Sequence, residues 1–480
     1  FKYCRILKTY DTLSDIQQDM QARSLTCRDL VDFYLERIEA HQHLNLFTEV
    51  YPDAARQAAE EVDRKVNAGT AGPLAGLILS IKDVICHEGH SLGASSDILD
   101  GFESLFTATA LQRLLDLDAI VIGRNSCDEF AMGSSNENAA QGPARNPLDS
   151  DRVPGGSSGA SAAAVAANLC HAALGSDTGG SVRQPASFCG VVGAKPTYGT
   201  ISRYGLIAYA SSFDQIGPIT RSTADARLLL KYMSGYDPHD QTSSHTSIQI
   251  DSSRDQEKPL RIGYFPQCLR SKGLAGHIQD HTRTLIQSLS DSGHTLKALD
   301  FPLFDYLVPC YYILTAAEAS ANLSRYDGVR YGFRKEHVQN LEEMYTQSRS
   351  EGFGPEVKRR IMLGTFVLSS GYHDAYYTQA QRVRKLIQEK TWALFDEVDV
   401  ILSPTSPTVA FEIGEKKDPV QMYLSDIFTV HANLAGIPAV SIPMGKNEAG
   451  LPYGLQLMGA PFEEGKMLDA VESIDAMLRK

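Results

Sequence analysis

Tryptophan occurs once in the 480 residues, and the eight cysteines never stand close together, Cys170 and Cys189 being the nearest pair. That spacing suits neither a zinc ribbon nor a dense disulfide scaffold, so free thiols in a reducing compartment are expected. No uninterrupted apolar run reaches the ~18 residues of a membrane span. The best stretch, residues 162–175, is mostly Ala and Val and is broken by Asn168 and His171. The opening Phe1-Lys2-Tyr3-Cys4-Arg5 starts no signal-peptide core and lacks Met, so a few leading residues are expected ahead of it. A cytoplasmic chain without membrane contact is the expectation. A cationic excess is missing too. With 45 Lys and Arg against 58 Asp and Glu, the net charge is −13, which excludes holding nucleic acid by bulk electrostatics. Repeats of solenoid type are absent. What is present, 43% hydrophobic and 21% charged residues, fits an ordinary globular protein and excludes collagen, coiled coil and wholesale disorder.

Helical and apolar-strand patterns alternate along the chain. Thr26-x-x-Asp29 has the form of a capping box, and Leu30, Val31, Tyr34, Leu35 and Ile38 follow at helical spacing. Residues 53–67 predict a surface helix ended by Gly69. Residues 77–81 and 119–122 read as buried strands, with a helix over 108–117 between them. This order predicts an α/β fold with a large mixed, mostly parallel central sheet covered by helices on both faces. The alternation resumes after an irregular polar stretch at 237–259. Strands are expected at 262–265, 296–299, 398–402, 439–442 and 455–458, and helices near 277–289 and 372–396. We read 1–480 as a single domain, although the length would allow two to four at roughly 100–200 residues each. Within it lie an N-terminal helical segment (about 10–70), a core (about 71–235), the exposed connection (about 237–259) and a second half (about 260–480).

Residues 133–217 are crowded with Gly, Ser and Ala and carry few charges. Flexible linkers are polar throughout. Here the glycines bracket the apolar run Ala162–Ala167, a small-residue helix able to pack close to a sheet. Well ahead of this region, Lys82 ends the strand 77–81. Such a lysine either reaches solvent or pairs with Asp83, or it is buried, neutral and a competent base. Pro154-Gly155-Gly156-Ser157-Ser158-Gly159 places two hydroxyls among glycines. Gly175-Ser176-Asp177-Thr178-Gly179-Gly180-Ser181 places another serine after a Gly-Gly pair, 24 residues beyond Ser157. A helix, a strand and a turn fill that distance, so both loops can meet at one end of a sheet. A Thr-Gly-Gly-Ser turn can aim successive N–H groups at one point, as an oxyanion hole requires.

Together with Ile81-Lys82-Asp83, residues 128–135 (Asp-Glu-Phe-Ala-Met-Gly-Ser-Ser), Lys195-Pro196-Thr197-Tyr198-Gly199 and residues 212–221, these loops resemble the amidase signature family over residues 12–475. The resemblance implies Ser181 as nucleophile, Ser157 as a bridging serine after a cis peptide, and Lys82 as base. It implies an oxyanion hole from the backbone N–H groups of Thr178, Gly179, Gly180 and Ser181. Residues 311–312, 318–332, 357–365, 425–429 and 433–438 look further like the A subunits of aspartyl/glutamyl-tRNA(Asn/Gln) amidotransferases. That likeness implies free glutamine as substrate, bound in the second half by Arg360 (carboxylate), Asp426 (ammonium) and Tyr311, with Arg359 the alternative to Arg360. It also implies no cofactor or metal in this chain. Ammonia would pass to a B subunit that uses ATP and Mg²⁺ to amidate Glu-tRNA(Gln), or Asp-tRNA(Asn), with a small C subunit completing a heterotrimer. The acidic charge agrees with leaving the tRNA to a partner. Ala160, Ala194 and Gln141 depart from the usual family residues, and we read them as packing adjustments.

Four rivals remain at this level. Gly155-x-Ser157-x-Gly159 also fits a nucleophile elbow completed by a later acid and His431, but this needs a strand before Gly155, where residues 146–151 read as a loop. His277-x-x-x-His281 has the spacing of a zinc pair but lacks the following Glu, and reads as a solvated helix face. A stand-alone amidase acting on another small amide shares the triad but not the partners. A scaffold without catalysis would not need Lys82 or Ser181.

Overall fold

The computed structural model describes residues 9–251, 258–416 and 418–479. The strands are β1 (Phe47–Val50), β2 (Ile78–Lys82), β3 (Ile120–Asn125), β4 (Ala172–Asp177), β5 (Val192–Lys195), β6 (Gln215–Thr220), β7 (Arg261–Tyr264), β8 (Thr295–Ala298), β9 (Val400–Pro404), β10 (Ala439–Lys446) and β11 (Pro452–Gly459). They form one sheet in the order β1-β3-β2-β4-β6-β5-β10-β11-β9-β7-β8. β2, β3, β4, β5, β6 and β9 are buried along their whole length. Their near-continuous Val, Ile, Leu, Gly and Ala content suits strands covered on both faces.

The mixed α/β sheet is as expected, but the expected parallel majority is not found. β2–β3, β2–β4, β7–β8 and β7–β9 pair in parallel. The other six neighbouring pairs are antiparallel. Strand–helix–strand order fixes that two strands run the same way, not that they touch. β4 and β5 run the same way across the helix Arg183–Cys189, yet β6 inserts between them in the opposite sense. β10 and β11 form a hairpin closed by the turn in which Asn447 N–H donates to Leu451 O at 2.9 Å.

Local sequence explains the helices that frame the sheet. The Thr26–Asp29 capping box is formed and starts the helix Cys27–Ala40. Pro52 opens the helix Pro52–Ala68, and Gly69 ends it with φ +72°. The small-residue helix Gly159–Ala166 is buried from Gly159 to Val165. The expected helix over 372–396 begins as a π-helical turn, Asp374–Thr378, before Gln379–Leu394. Residues 237–251 have no helix or strand, but they are pinned rather than simply exposed. Asp237 accepts from Thr109 Oγ1 at 2.6 Å, and Asp240 from Arg203 N–H at 2.8 Å. Residues 252–257 of that connection lie outside the described residues, as does Cys4. The other seven cysteines are buried free thiols. Among the described residues no helix is long and apolar enough to cross a membrane.

β2 and β4 are parallel neighbours, so Lys82 and Asp177, their last residues, leave the sheet at the same edge. Carboxyl ends of parallel strands are where α/β sheets place ligands.

Candidate active site

Lys82 is fully buried. Its Nζ lies 2.7 Å from Ser157 Oγ and 2.9 Å from both Ser158 Oγ and Ser176 Oγ. Burial pushes its pKa down to about 8, against the pull of Cys127, Asp128, Asp177 and Asp214. The reading of Lys82 as a solvent-seeking side chain or a partner of Asp83 does not hold. Asp83 instead accepts the N–H groups of Gly93 and Ser95 at 3.1 and 2.7 Å, beside Arg124.

The serine loop approaches because β4 offers bare backbone. A Cβ on Gly175 would sit 2.7 Å from Ser158 Oγ. The Gly156–Ser157 peptide is cis. Ser158 N–H donates to Ser181 O at 3.1 Å, which ties this loop to the turn after β4. Ser157 is fully buried, whereas Ser181 keeps 9% exposure.

That turn is built on Asp177. Its carboxylate accepts Gly180 N–H at 2.9 Å and Val182 N–H at 3.2 Å. Arg183 donates to both of its oxygens, at 2.9 and 3.0 Å, and Asn433 Nδ2 donates at 2.9 Å. Burial opposes the charge, but Arg183 holds the carboxyl far below the usual carboxylate range. Of the four backbone donors implied for an oxyanion hole, that of Gly180 is therefore engaged with Asp177. Thr429 Oγ1 donates to Gly179 O at 2.6 Å. The turn is packed so closely that a Cβ on Gly179 would lie 2.4 Å from Tyr311 Oη.

Tyr311 leads from the turn into a buried cluster of aromatic and charged groups. Its ring meets Tyr312 edge-on at 5.0 Å. Tyr312 Oη donates to Asp426 at 3.0 Å, and Ser134 Oγ donates to the same oxygen at 2.7 Å. Burial pushes the Asp426 carboxyl up to about 6, against those hydrogen bonds and the charge of Arg360. Arg360 is only 4% exposed. It donates to Glu356 at 2.9 Å and to Tyr209 Oη at 2.6 Å, and faces the rings of Tyr209, Tyr312 and Tyr423 at 5.4–5.5 Å. Arg359 is exposed, pairs with Glu356 and lies on the outer side of the same helix. The structure thus brings Tyr311, Arg360 and Asp426 together around Tyr312, beside the Gly179 turn.

Sequence reasoning missed Ser158 and Ser176 as lysine partners, and Tyr312, Ser134, Tyr209 and Glu356 as the frame of the pocket. Ser158 and Ser176 stand in the two loops already singled out, but nothing in a Ser-Ser pair says which hydroxyl faces inward. His431 does not serve an elbow. It is buried against Phe265 and Phe301, is bonded to Thr391 at 2.7 Å, and burial pushes its pKa down to about 3. Residues 153–158 form no strand. His281 bonds Tyr453 Oη at 2.9 Å, and His277 packs on the same ring. Among the described residues no cluster of three His, Cys, Asp or Glu could hold a metal ion.

Comparison with known proteins follows the same lines. The model of the family described as Amidase matches residues 29–468. Over 468 residues the chain is 50% identical to the A subunit of the glutamyl-tRNA(Gln) amidotransferase of Chlorobaculum parvum, covering 96% of this chain and 97% of that one. The crystal structure of the A subunit of the Thermotoga maritima glutamyl-tRNA(Gln) amidotransferase is 40% identical, covers 93% of each chain and superposes with a TM-score of 0.77. An inhibitor-bound structure is described as a vestigial protein complex revealing the origins of an s-triazine catabolic enzyme. It is 30% identical, covers 97% of this chain and 98% of that one, and has a TM-score of 0.85.

Proposed function

The chain belongs to the amidase family, and on that premise we propose that it is the glutamine-hydrolysing A subunit of a glutamyl-tRNA(Gln) amidotransferase, with Lys82, Ser157 and Ser181 as its catalytic triad. Backbone shape alone does not single out this reading, because the s-triazine-related structure, at 30% identity, has the higher TM-score. Identity over nearly the full length favours the amidotransferase. The observation that carries the substrate is the pocket, where a buried cation, Arg360, and a buried anion, Asp426, flank Tyr312. Arg360 is paired with Glu356, whereas Asp426 accepts from the hydroxyls of Ser134 and Tyr312, and buried charge is costly without an opposite one. A zwitterion with a carboxamide tail answers both: its α-carboxylate meets Arg360, its α-ammonium meets Asp426, and its amide reaches the Gly179–Ser181 turn past Tyr311.

The proton inventory suits the chemistry. A protonated Lys82 donates to Ser157, Ser158 and Ser176 alike. A neutral Lys82 keeps two N–H donors for Ser158 and Ser176, and its lone pair then faces the Ser157 hydroxyl. Ser158 already spends its own proton on Ser176 O, at 3.2 Å. Lys82 thus takes a proton from Ser157 as Ser157 takes one from Ser181, and Ser181 Oγ bonds to the carboxamide carbon. Backbone N–H groups of the turn hold the oxyanion. Those of Thr178, Gly179 and Ser181 are the better placed, since Gly180 N–H is donated to Asp177. The C–N bond breaks as the lysine proton returns through Ser157 to the nitrogen, which leaves as ammonia. Water then repeats the cycle on the Ser181 ester, releasing glutamate.

We place the activity in the cytoplasm and assign the ammonia to a partner. A B subunit uses ATP and Mg²⁺ to activate the glutamate of Glu-tRNA(Gln) and then amidates it, and a C subunit completes the complex. This chain needs no cofactor of its own for the hydrolysis. The test is glutaminase and glutamine-dependent Glu-tRNA(Gln) amidation by wild type and Ser181→Ala, with and without co-expressed partner subunits. Loss of both activities in Ser181→Ala, with amidation restored by added ammonium, is the expected result. Efficient hydrolysis of assorted amides by the lone chain, with no partner binding, overturns the amidotransferase reading.

A further inference from the structure

The cation of the pocket stands on the helix Pro355–Leu368, and the N-terminus of that helix is held by a carboxylate from the other half of the chain. Glu129 is buried in the 3-10 turn Glu129–Ala131, three residues beyond Ser126 and close after β3. Both of its oxygens accept the N–H of Gly354, the N-cap residue, at 3.0 and 2.9 Å. Ser96 Oγ donates to the same carboxylate and lies 3.2 Å from Gly352 O. The fit allows no side chain at either glycine. A Cβ on Gly354 would lie 2.4 Å from Glu129 Oε2, and one on Gly352 would lie 2.6 Å from Ile98 Cδ1. Phe130, at φ +51°, packs against Phe353 and Tyr326 on the approach to the helix. A carboxylate at this end also faces the positive pole of the helix. At a rise of ~1.5 Å per residue, Arg360 stands about 9 Å along the axis from Gly354. Glu356, one turn before Arg360, holds its Nε and accepts Tyr423 Oη at 3.1 Å.

We propose that Glu129 is a positioning residue for substrate: by clamping Gly354 it fixes the height of the helix and so the distance between Arg360 and the Gly179–Ser181 turn. Arg360 meets only the α-carboxylate, so the clamp acts on affinity for substrates that carry one and not on the chemical step. The inference rests on the reading of glutamine as substrate.

The experiment compares wild type, Glu129→Ala and Glu129→Gln in the assembled complex. Two amides are used: glutamine, and 4-aminobutanamide, which is glutamine without its carboxylate. Glu129→Ala is expected to raise the KM for glutamine about tenfold, to change kcat less than threefold, and to leave the KM for 4-aminobutanamide unaltered. Glu129→Gln keeps one acceptor for Gly354 N–H and is expected to recover part of the glutamine KM. Equal losses on both amides, a fall in kcat at constant KM, or no change at all overturns the proposal. Should Glu129→Ala fail to fold, Ser96→Ala, which removes one donor to the carboxylate, must shift the glutamine KM alone and in the same direction. A wild type that handles the two amides with equal KM refutes the pocket reading itself, whatever Glu129 does.

Discussion

At the scale of single residues, charge states decide the behaviour. A lysine works as a base only when neutral, and burial brings the pKa of Lys82, the proposed base, to about 8. kcat for glutamine is therefore expected to rise about tenfold per pH unit below that value and to level off above it. Asp426 must be ionised to hold an ammonium, and burial brings its carboxyl to about 6. The KM for glutamine should accordingly climb as pH falls through 6, a limb separable from the first in a steady-state series over pH 5–9. Arg360→Lys removes the fork that reaches Glu356 and Tyr209 at once. Hydrogen bonds to charged groups contribute ~1.5–3 kcal/mol, so the KM for glutamine should rise about 10–100-fold. Arg359→Lys, on the exposed side, should change it less than twofold, and the same kinetics check both. Much of this was legible in the sequence. A lysine closing an apolar strand and two Gly-Ser loops at helix-plus-strand spacing marked the region, and the structure brings Lys82 within 2.7 Å of Ser157, while the roles proposed for Lys82, Ser157 and Ser181 came from the family resemblance. The choice between Arg359 and Arg360 was not legible, because adjacent residues on a helix differ by the face they present, and that depends on what packs there.

At the scale of elements, the turn after β4 is a tightly constrained piece of backbone. Gly180 has φ +127°, where an L side chain is strained, and a Cβ there would lie 2.2 Å from Thr429 Oγ1. Gly180→Ala should lower kcat at least 100-fold and shift the melting temperature down by several degrees, as read by paired kinetic and thermal measurements. Capping boxes, helix-ending glycines and apolar runs announced most strands but fewer than half of the α-helices found among the described residues. Pairing direction was less legible. Nothing in residues 215–220 says that this strand will slip between β4 and β5 against their direction. Apolar content records that a strand is covered on both faces, and it is blind to the sense of its neighbours. The clamp of Glu129 on Gly354 was likewise invisible, since it joins positions 225 residues apart.

At the scale of the whole molecule, the triad candidates come from residues 82–181 and the substrate-binding candidates Tyr311, Arg360 and Asp426 from residues 311–426, yet they belong to one chain built on one sheet. The joint is the hairpin β10–β11, which stands between β5 on one side and β9-β7-β8 on the other. A chain stopped after residue 437 is expected to keep the first six strands paired and to aggregate through the bare edge of β5. Sedimentation should show it, and a separately expressed piece carrying residues 438–480 should relieve it. The same order of strands has a meaning during translation. The six strands of the first half emerge from the ribosome some 220 residues before the hairpin that covers their edge. At ~5–20 residues per second, the nascent chain must guard an open sheet margin for about 10–45 seconds, an interval in which a chaperone has something to hold.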